Sequence, residues 1–347
     1  MNSTLANRRF AHRSMTKISA WKLGAIAALT LVTGSALPAQ AAVSSQRVAL
    51  VTPAQAQLRA QIGTYESLIE QAQQQLDMLN YDNALATFQT AIDSAPEQPR
   101  AWVGKGEALY GLGQFSEAVT AFAEATKLAP DYQYAWIWLG NAYDDNGQLE
   151  ASLAAYAQAI ALDGTNPLPY YHRGIALWYD GQGAAATADF QRVSESVPDF
   201  PKGWMWLGRS LAQVEDYEGA IAAFDQALAL DANERDALFG KGLSLIDLER
   251  YDEAVSVFDE FVALVPDAAS GWFYQGYSLF GLERYDEALE AYARSLEIDN
   301  MRADTWYNQG LTLIELERYE DAKTSFEQVL AIDPENSNAR RQLEDLP

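Results

Sequence analysis

The chain of 347 residues contains no cysteine and only two histidines, His12 and His172. Without thiols it has no disulfide framework, no lipid-attachment cysteine and no cysteine nucleophile. A single histidine after residue 41 is too few for a zinc site of the usual ligand types. Neither a glycine-rich phosphate loop nor a serine elbow occurs. We therefore predict a protein that is not an enzyme and that holds no metal and no cofactor.

Basic side chains are also scarce, with 24 lysines and arginines against 48 aspartates and glutamates and a formal net charge of −24. Five of the basic residues lie in residues 1–41, so residues 42–347 carry 19 basic and 48 acidic side chains, or −29. A chain of this charge is repelled by phosphate backbones and by anionic membrane surfaces. Nucleic acid is therefore excluded as an expected partner.

Residues 1–41 contain basic, apolar and small residues in a distinctive order. Residues 1–41 contain no acid, and an apolar run over residues 23–32 is followed by Ala39-Gln40-Ala41. This order of basic, apolar and small residues is typical of a secretory signal peptide. The sequence predicts export to the periplasm or an equivalent lumen, cleavage before Ala42, and no membrane insertion of the mature chain. The alternative is an uncleaved N-terminal membrane anchor.

From residue 65 onwards, a pattern of 34 residues returns eight times without insertion, at residues 65–98, 99–132, 133–166, 167–200, 201–234, 235–268, 269–302 and 303–336. Positions in each copy are numbered 1 to 34 below. Position 8 is alanine in repeat 1 and glycine in repeats 2 to 8, and position 20 is alanine or serine. Position 24 is always aromatic: Phe88, Phe122, Tyr156, Phe190, Phe224, Phe258, Tyr292 and Phe326. A fixed period of this length is the signature of a repeat architecture.

These residues resemble the tetratricopeptide repeat (TPR) family over residues 65–336. Each copy also carries two amphipathic helical patterns, such as 306–316 and 319–331, separated by a polar turn. The expected fold is all-α: a right-handed α-solenoid, or superhelix, of eight helical hairpins. Gly310 is expected to face Ala322 where the two helices of repeat 8 approach each other. We expect residues 42–64 to be a linker or an N-terminal cap and residues 337–347 a C-terminal capping helix.

In the family the first helices line a concave groove that holds partner peptides, and the resemblance implies such a groove here. Positions 5, 9 and 12 of the first helices are unusually apolar, and five of the eight tryptophans after residue 41 fill position 4. The other three are assigned to the groove side. The predicted partner-binding residues are Trp138, Tyr171, His172, Trp178, Tyr179, Met205, Trp206, Phe239, Phe273, Tyr274, Tyr277, Phe280 and Tyr307. The competing interpretation is that these side chains pack between successive repeats.

The family's carboxylate clamp is not expected, because only two of its five side chains are matched among Ile137, Asn141, His172, Lys202 and Trp206. Acidic groups outnumber basic ones along the groove. The predicted partner is therefore a protein, bound as an extended peptide or a helix that is apolar with neutral or basic character. The function expected is an exported scaffold for assembly or secretion of envelope or photosynthetic-membrane complexes. The alternatives are a glycan-facing scaffold in polysaccharide secretion and a self-associating structural solenoid.

Overall fold

The computed structural model describes residues 52–347, and for residues 53–61 it describes the backbone alone. This part of the chain is helical throughout, with short turns and no strand. Its seventeen helices are α1 (Pro53–Asp77), α2 (Tyr81–Ser94), α3 (Pro99–Gly111), α4 (Phe115–Leu128), α5 (Gln133–Asp145), α6 (Leu149–Leu162), α7 (Pro167–Tyr179), α8 (Gly183–Ser196), α9 (Pro201–Gln213), α10 (Tyr217–Leu230), α11 (Arg235–Asp247), α12 (Tyr251–Leu264), α13 (Ala269–Gly281), α14 (Tyr285–Ile298), α15 (Ala303–Glu315), α16 (Tyr319–Ile332) and α17 (Ser337–Asp345).

The helices divide between two compact units, Met1–Ala176 and Leu177–Pro347, with the division inside α7. Within each unit, consecutive helices pack as antiparallel hairpins, and each hairpin packs on the next. Odd-numbered helices from α3 to α15 are the first helices of repeats 2 to 8, and the following even-numbered helices are the second. The predicted all-α fold of stacked helical hairpins is thus confirmed.

The glycine at position 8 allows the two helices of a hairpin to approach each other. A Cβ built on Gly310 would lie 2.7 Å from two ring carbons of Phe326, and one on Gly208 would lie 2.7 Å from Phe224. The predicted close approach is correct, and the atoms nearest to the built Cβ of Gly310 belong to the ring of Phe326. In repeat 7 the residue equivalent to Ala322 is also close, since the Ala288 carbonyl oxygen lies 3.2 Å from a Cβ built on Gly276. A phenyl ring at position 24 reaches across the hairpin and occupies the space that a position-8 side chain would need, which explains why position 24 is always aromatic.

The tryptophans at position 4 lie at the edge of the core, and each is only half-buried. Each indole Nε1 donates to the carbonyl oxygen six residues earlier in the chain, just before the first helix begins. Trp102, for example, donates to the carbonyl oxygen of Pro96 at 2.8 Å. The same bond is made by Trp136, Trp204, Trp272 and Trp306, at 2.9 to 3.0 Å. Position 4 therefore ties the end of one repeat to the start of the next.

The turn inside every hairpin places position 15 in the left-handed region of the backbone. Glycine occupies this position in repeats 2 to 4, with φ of +75° at Gly113, +76° at Gly147 and +83° at Gly181. The other five repeats place a side chain there, at Leu79, Glu215, Glu249, Glu283 and Glu317, with φ between +56° and +64°. A residue other than glycine is strained in this conformation, so these turns carry a cost that the packing of the hairpin must offset.

Both ends of the repeat series have additional helix. α1 runs without interruption from Pro53 through residues 53–64 into the first helix of repeat 1. At the other end, Asn336 caps α17 by accepting a hydrogen bond from the backbone N–H of Ala339, and Ala339 is buried against repeat 8. None of the helices between residues 52 and 347 has the length and apolar content needed to cross a bilayer. The predicted signal peptide lies outside the described residues.

Candidate binding surface

Seven of the thirteen predicted groove residues are buried, and for these the expected exposure is wrong. Their exposed fractions run from 0 to 6%: Trp138, Tyr171, His172, Trp178, Met205, Trp206 and Phe273. Side chains this enclosed contribute to packing and are not available to a partner in this conformation. Tyr179 is exposed at 39%, and the remaining five are half-buried.

Position 6 explains much of this burial, because it faces the preceding repeat. Trp138 stacks on Phe122 with ring centroids 5.7 Å apart, and His172 stacks on Tyr156 at 6.3 Å. In the second unit, Trp206 stacks on Phe190 and Tyr274 on Phe258, both at 5.8 Å. Each pair joins position 6 of one repeat to position 24 of the repeat before it. Where position 6 is glycine, at Gly104 and Gly240, the ring at position 24 lies directly against the helix backbone.

The tryptophans of the second unit are packed around one arginine. The guanidinium of Arg209 lies 5.0 Å from the ring centroid of Trp206 and 5.7 Å from that of Trp178. The indole N–H of Trp178 donates to the Arg209 carbonyl oxygen at 3.2 Å, and Asp236 pairs with the Arg209 side chain at 3.5 Å. This cluster binds α7, α9 and α11 together, which favours a structural role for both tryptophans.

Four of the six predicted residues that remain accessible lie on α11 and α13 of the second unit. Phe239 contacts Tyr274 with centroids 5.5 Å apart, Tyr274 contacts Phe273 at 4.9 Å, and Phe273 contacts Tyr277 at 6.4 Å. Only Phe273 in this row of rings is buried. We call Phe239, Tyr274 and Tyr277, together with Phe280 and Tyr307, the aromatic face. All five of its members are half-buried, so each presents part of a ring to solvent.

Charges beside the aromatic face are already partly paired. The guanidinium of Arg302 lies 5.1 Å from the centroid of Phe273 and donates to Asp304 at 2.7 Å. The Asp304 side chain is 51% exposed, whereas that of Arg302 is 21% exposed. The more accessible charge of this pair is therefore the carboxylate, and it favours a neutral or basic ligand next to the rings.

Polar contacts between position 9 and position 2 of the next repeat were not anticipated from the sequence. In the first unit, the hydroxyl of Tyr134 donates to the Glu107 carboxylate at 2.6 Å. Burial raises the pKa of Glu107 to about 7; the Tyr134 hydrogen bond lowers this pKa and the charge of Asp77 raises it. Arg209 and Asp236 occupy the same two positions in the second unit. These contacts could have been predicted from the sequence, because position 9 of one repeat and position 2 of the next lie on the same flank. Finding them requires that residues at these two positions be compared between neighbouring repeats.

Four of the five residues considered for a carboxylate clamp are interior: Ile137, Asn141, His172 and Trp206. Asn141 is fully buried and accepts a hydrogen bond from the Tyr156 hydroxyl at 2.6 Å. His172 is fully buried beside the same tyrosine. These side chains hold the first unit together, so the structure gives no basis for a clamp here. Residues 52–347 also contain no group of three or more histidine, cysteine, aspartate or glutamate side chains placed to hold a metal ion.

Comparison with protein families identifies the repeat. A family model described as "Tetratricopeptide repeat" matches residues 69–132, 106–167, 171–236 and 239–301, and a second model of the same description matches residues 303–336. The chain belongs to the tetratricopeptide repeat family. Repeats of this family are protein-interaction scaffolds and are generally not catalytic. The comparison with curated proteins found no match.

Solved structures with the same architecture are distant in sequence. The TPR protein YrrB, described as having an unusual peptide-binding site, is 22% identical with a TM-score of 0.50, covering 55% of this chain and 98% of its own. The Cut9–Hcn1 hetero-tetramer of APC/C is 16% identical with a TM-score of 0.51, and the match covers 76% of this chain and 52% of that one. MamA from Desulfovibrio magneticus RS-1 is 21% identical, with a TM-score of 0.47 and coverages of 49% and 97%. The similarities to YrrB and to Cut9–Hcn1 show the fold alone.

Proposed function

We propose that this TPR protein is an exported, non-catalytic scaffold that binds a protein partner through the aromatic face of its second unit. The observation that carries the proposal is the row of ring contacts from Phe239 through Tyr274 and Phe273 to Tyr277, with part of each outer ring accessible. Aromatic side chains dominate the energetic centres of protein interfaces, because they bury much area at a small entropic cost.

The chemistry of the partner follows from the surroundings of that row. Asp304 is the accessible charge beside the rings, and the chain as a whole carries a net charge of −24. An acidic tail would be repelled, whereas an apolar segment of neutral or basic character would not. The first helices α11, α13 and α15 lie side by side, a surface on which an extended peptide or a helix fits better than a small ligand.

Site-specific crosslinking tests this surface. A photo-crosslinking residue at position 277 should capture a partner in envelope extracts of the native organism, and one at exposed Glu290 on α14 should not. Tyr277→Ala and Phe280→Ala should then weaken binding of the captured protein by about tenfold or more, since truncating an interface anchor costs about 2 kcal/mol. Equal capture from positions 277 and 290, or unchanged affinity in both variants, would exclude the aromatic face as the binding surface.

Export is supported by the layout of residues 1–41 and has its own test. N-terminal sequencing of the protein from an envelope fraction should return a chain that begins at Ala42. An intact Met1 or Met15 in envelope membranes would favour the uncleaved anchor. The same intact start in a cytosolic fraction would contradict export.

A further inference from the structure

A groove of about 600 Å³ lies in the first unit, between the second helices of repeats 1 and 2. Its walls are α2 and α4, each of which packs against α3 rather than against the other. The floor is formed from α3 by Trp102 and Leu109, and the walls contribute the apolar side chains of Leu85, Ala86 and Ala121. The groove is thus an apolar channel between two helices.

Two polar contacts hold the floor of the groove in place. The indole N–H of Trp102 donates to the Pro96 carbonyl oxygen, which fixes the ring. Lys105 donates to Gln89 at 2.8 Å, and its ammonium lies 5.4 Å from the Trp102 ring centroid. The positive charge in the groove is therefore already engaged by an amide oxygen and a ring face.

The negative charges of the groove are not engaged in the same way. Asp82 and Glu117 lie on its two walls, in the first turns of α2 and α4, and both are exposed. Among the described residues neither carboxylate has an ion-pair or hydrogen-bond partner. In repeats 6 to 8, by contrast, an acid in the first turn of the second helix pairs with an arginine three residues earlier. An apolar channel with an unpaired carboxylate on each wall is complementary to an apolar segment that carries basic side chains.

We propose that this groove is a second docking site, for an amphipathic helix of a partner protein with an apolar stripe flanked by lysine or arginine. The apolar side chains would cover Trp102 and Leu109, and the basic groups would reach Asp82 and Glu117. A second copy of this chain fits less well, because a net charge of −24 opposes association of two acidic surfaces. The site is separate from the aromatic face in its helices and in its unit, and it does not rest on the function proposed for that face.

The probe is a synthetic helix of about 14 residues, or about four turns, with two leucines on one face and a lysine on either side of them. In two matched peptides, glutamate replaces the lysines or serine replaces the leucines. Binding to the full-length protein is measured by calorimetry and by the fluorescence change of its tryptophans. The lysine–leucine peptide should bind, and both matched peptides should bind at least about tenfold more weakly.

Two groove variants and their controls make the site assignment testable. Ala86→Arg adds bulk and positive charge at an exposed wall position and should reduce affinity by at least about tenfold. Ala154→Arg is the control, since Ala154 is exposed at the same repeat position on α6 and does not line the groove. Asp82→Asn combined with Glu117→Gln should weaken binding by about threefold to tenfold and reduce its salt dependence. Asp131→Asn combined with Glu150→Gln removes the same charge elsewhere in the first unit and should change neither.

Each alternative occupant of the groove would give a distinct experimental result. Equal binding of the glutamate peptide, or equal loss with the control variants, would overturn the proposal. Association of the protein with itself that Ala86→Arg abolishes would assign the groove to a second copy. Peptide binding that appears only after removal of residues 1–51 would assign the groove to the chain's own N-terminal segment. Loss of peptide binding in Tyr277→Ala would place the peptide on the aromatic face instead.

Discussion

Trp206 lies face to face with Phe190, with ring centroids 5.8 Å apart and planes inclined by 14°. The two residues belong to consecutive repeats, at positions 6 and 24, and both are almost completely buried. This stack, and the equivalent ones of Trp138, His172 and Tyr274, means that an aromatic residue at position 6 joins hairpins together. The burial of Trp206 in this stack favours packing between repeats, the alternative to partner binding that the sequence left open.

Trp206→Ala should therefore reduce stability by about 3 to 5 kcal/mol, the usual cost of truncating a buried tryptophan. Urea unfolding followed by circular dichroism measures the loss. Trp206→Phe should reduce stability much less than Trp206→Ala, because the new phenyl ring can still stack on Phe190. It also removes an indole N–H that has no hydrogen-bond partner among the described residues. If Trp206→Ala unfolds at the same urea concentration as the parent, the stack contributes nothing and the residue needs another explanation.

Much of the architecture could be predicted because the same pattern of residues occurs in eight consecutive copies. Helix pairs, turns and the close approach at position 8 all follow from the period and from the glycines. The contact between Gly310 and the Phe326 ring was not predicted, because spacing along two helices shows which faces meet but not how far a ring reaches.

The candidate site was harder to predict, because helical spacing shows which flank a residue occupies but not whether a neighbouring helix covers it. Trp138 and Trp206 at position 6 were grouped with the apolar residues at positions 5, 9 and 12, yet position 6 turns towards the preceding repeat. Tyr277 and Phe280, at positions 9 and 12, do stay half-buried. Whether these accessible rings bind a partner stays a prediction.

Gly208 offers a test of the close contact within a hairpin. Gly208→Leu should cost about 1 to 3 kcal/mol through overpacking, because the new side chain meets the Phe224 ring within 2.7 Å. The same substitution at Gly63 is the control. Gly63 is exposed in α1 with no atom within 4 Å of an added Cβ, so Gly63→Leu should be neutral or stabilise by up to about 1 kcal/mol. Similar denaturation midpoints for both variants would contradict the assignment.

The strained turns can be relieved individually. Glu283 has φ of +60°, so Glu283→Gly should stabilise the protein by about 0.5 kcal/mol, after the greater freedom of glycine in the unfolded chain offsets part of the relief. Glu283→Ala removes the same charge but keeps the strain, so the difference between these two variants isolates the backbone term. In the reverse direction, Gly147→Ala should cost about 1 kcal/mol, since φ there is +76°. Chemical denaturation of the three variants measures each effect.

The pH dependence of stability should reveal the contact between Glu107 and Tyr134. Burial raises the pKa of Glu107 from 4.5 to about 7 in the folded protein, so between these values the folded state holds a proton that the unfolded chain releases. The free energy of unfolding must then fall as pH rises through this window, and the stabilisation present below about pH 4.5 is lost above about pH 7.

Glu107→Gln keeps an oxygen to accept the hydrogen bond from Tyr134 and cannot ionise. The free energy of unfolding of the variant should equal that of the parent near pH 5 and exceed it by about 1 kcal/mol near pH 8. The difference is smaller than the full 1.36 kcal/mol per pKa unit because solvent screens a half-buried group. Urea unfolding at several pH values measures the two curves. Glu150→Gln, an exposed carboxyl on α6, controls for the loss of one negative charge and should run parallel to the parent. Parallel curves for Glu107→Gln as well would show that Glu107 ionises at its ordinary pH and that its carboxyl is open to water.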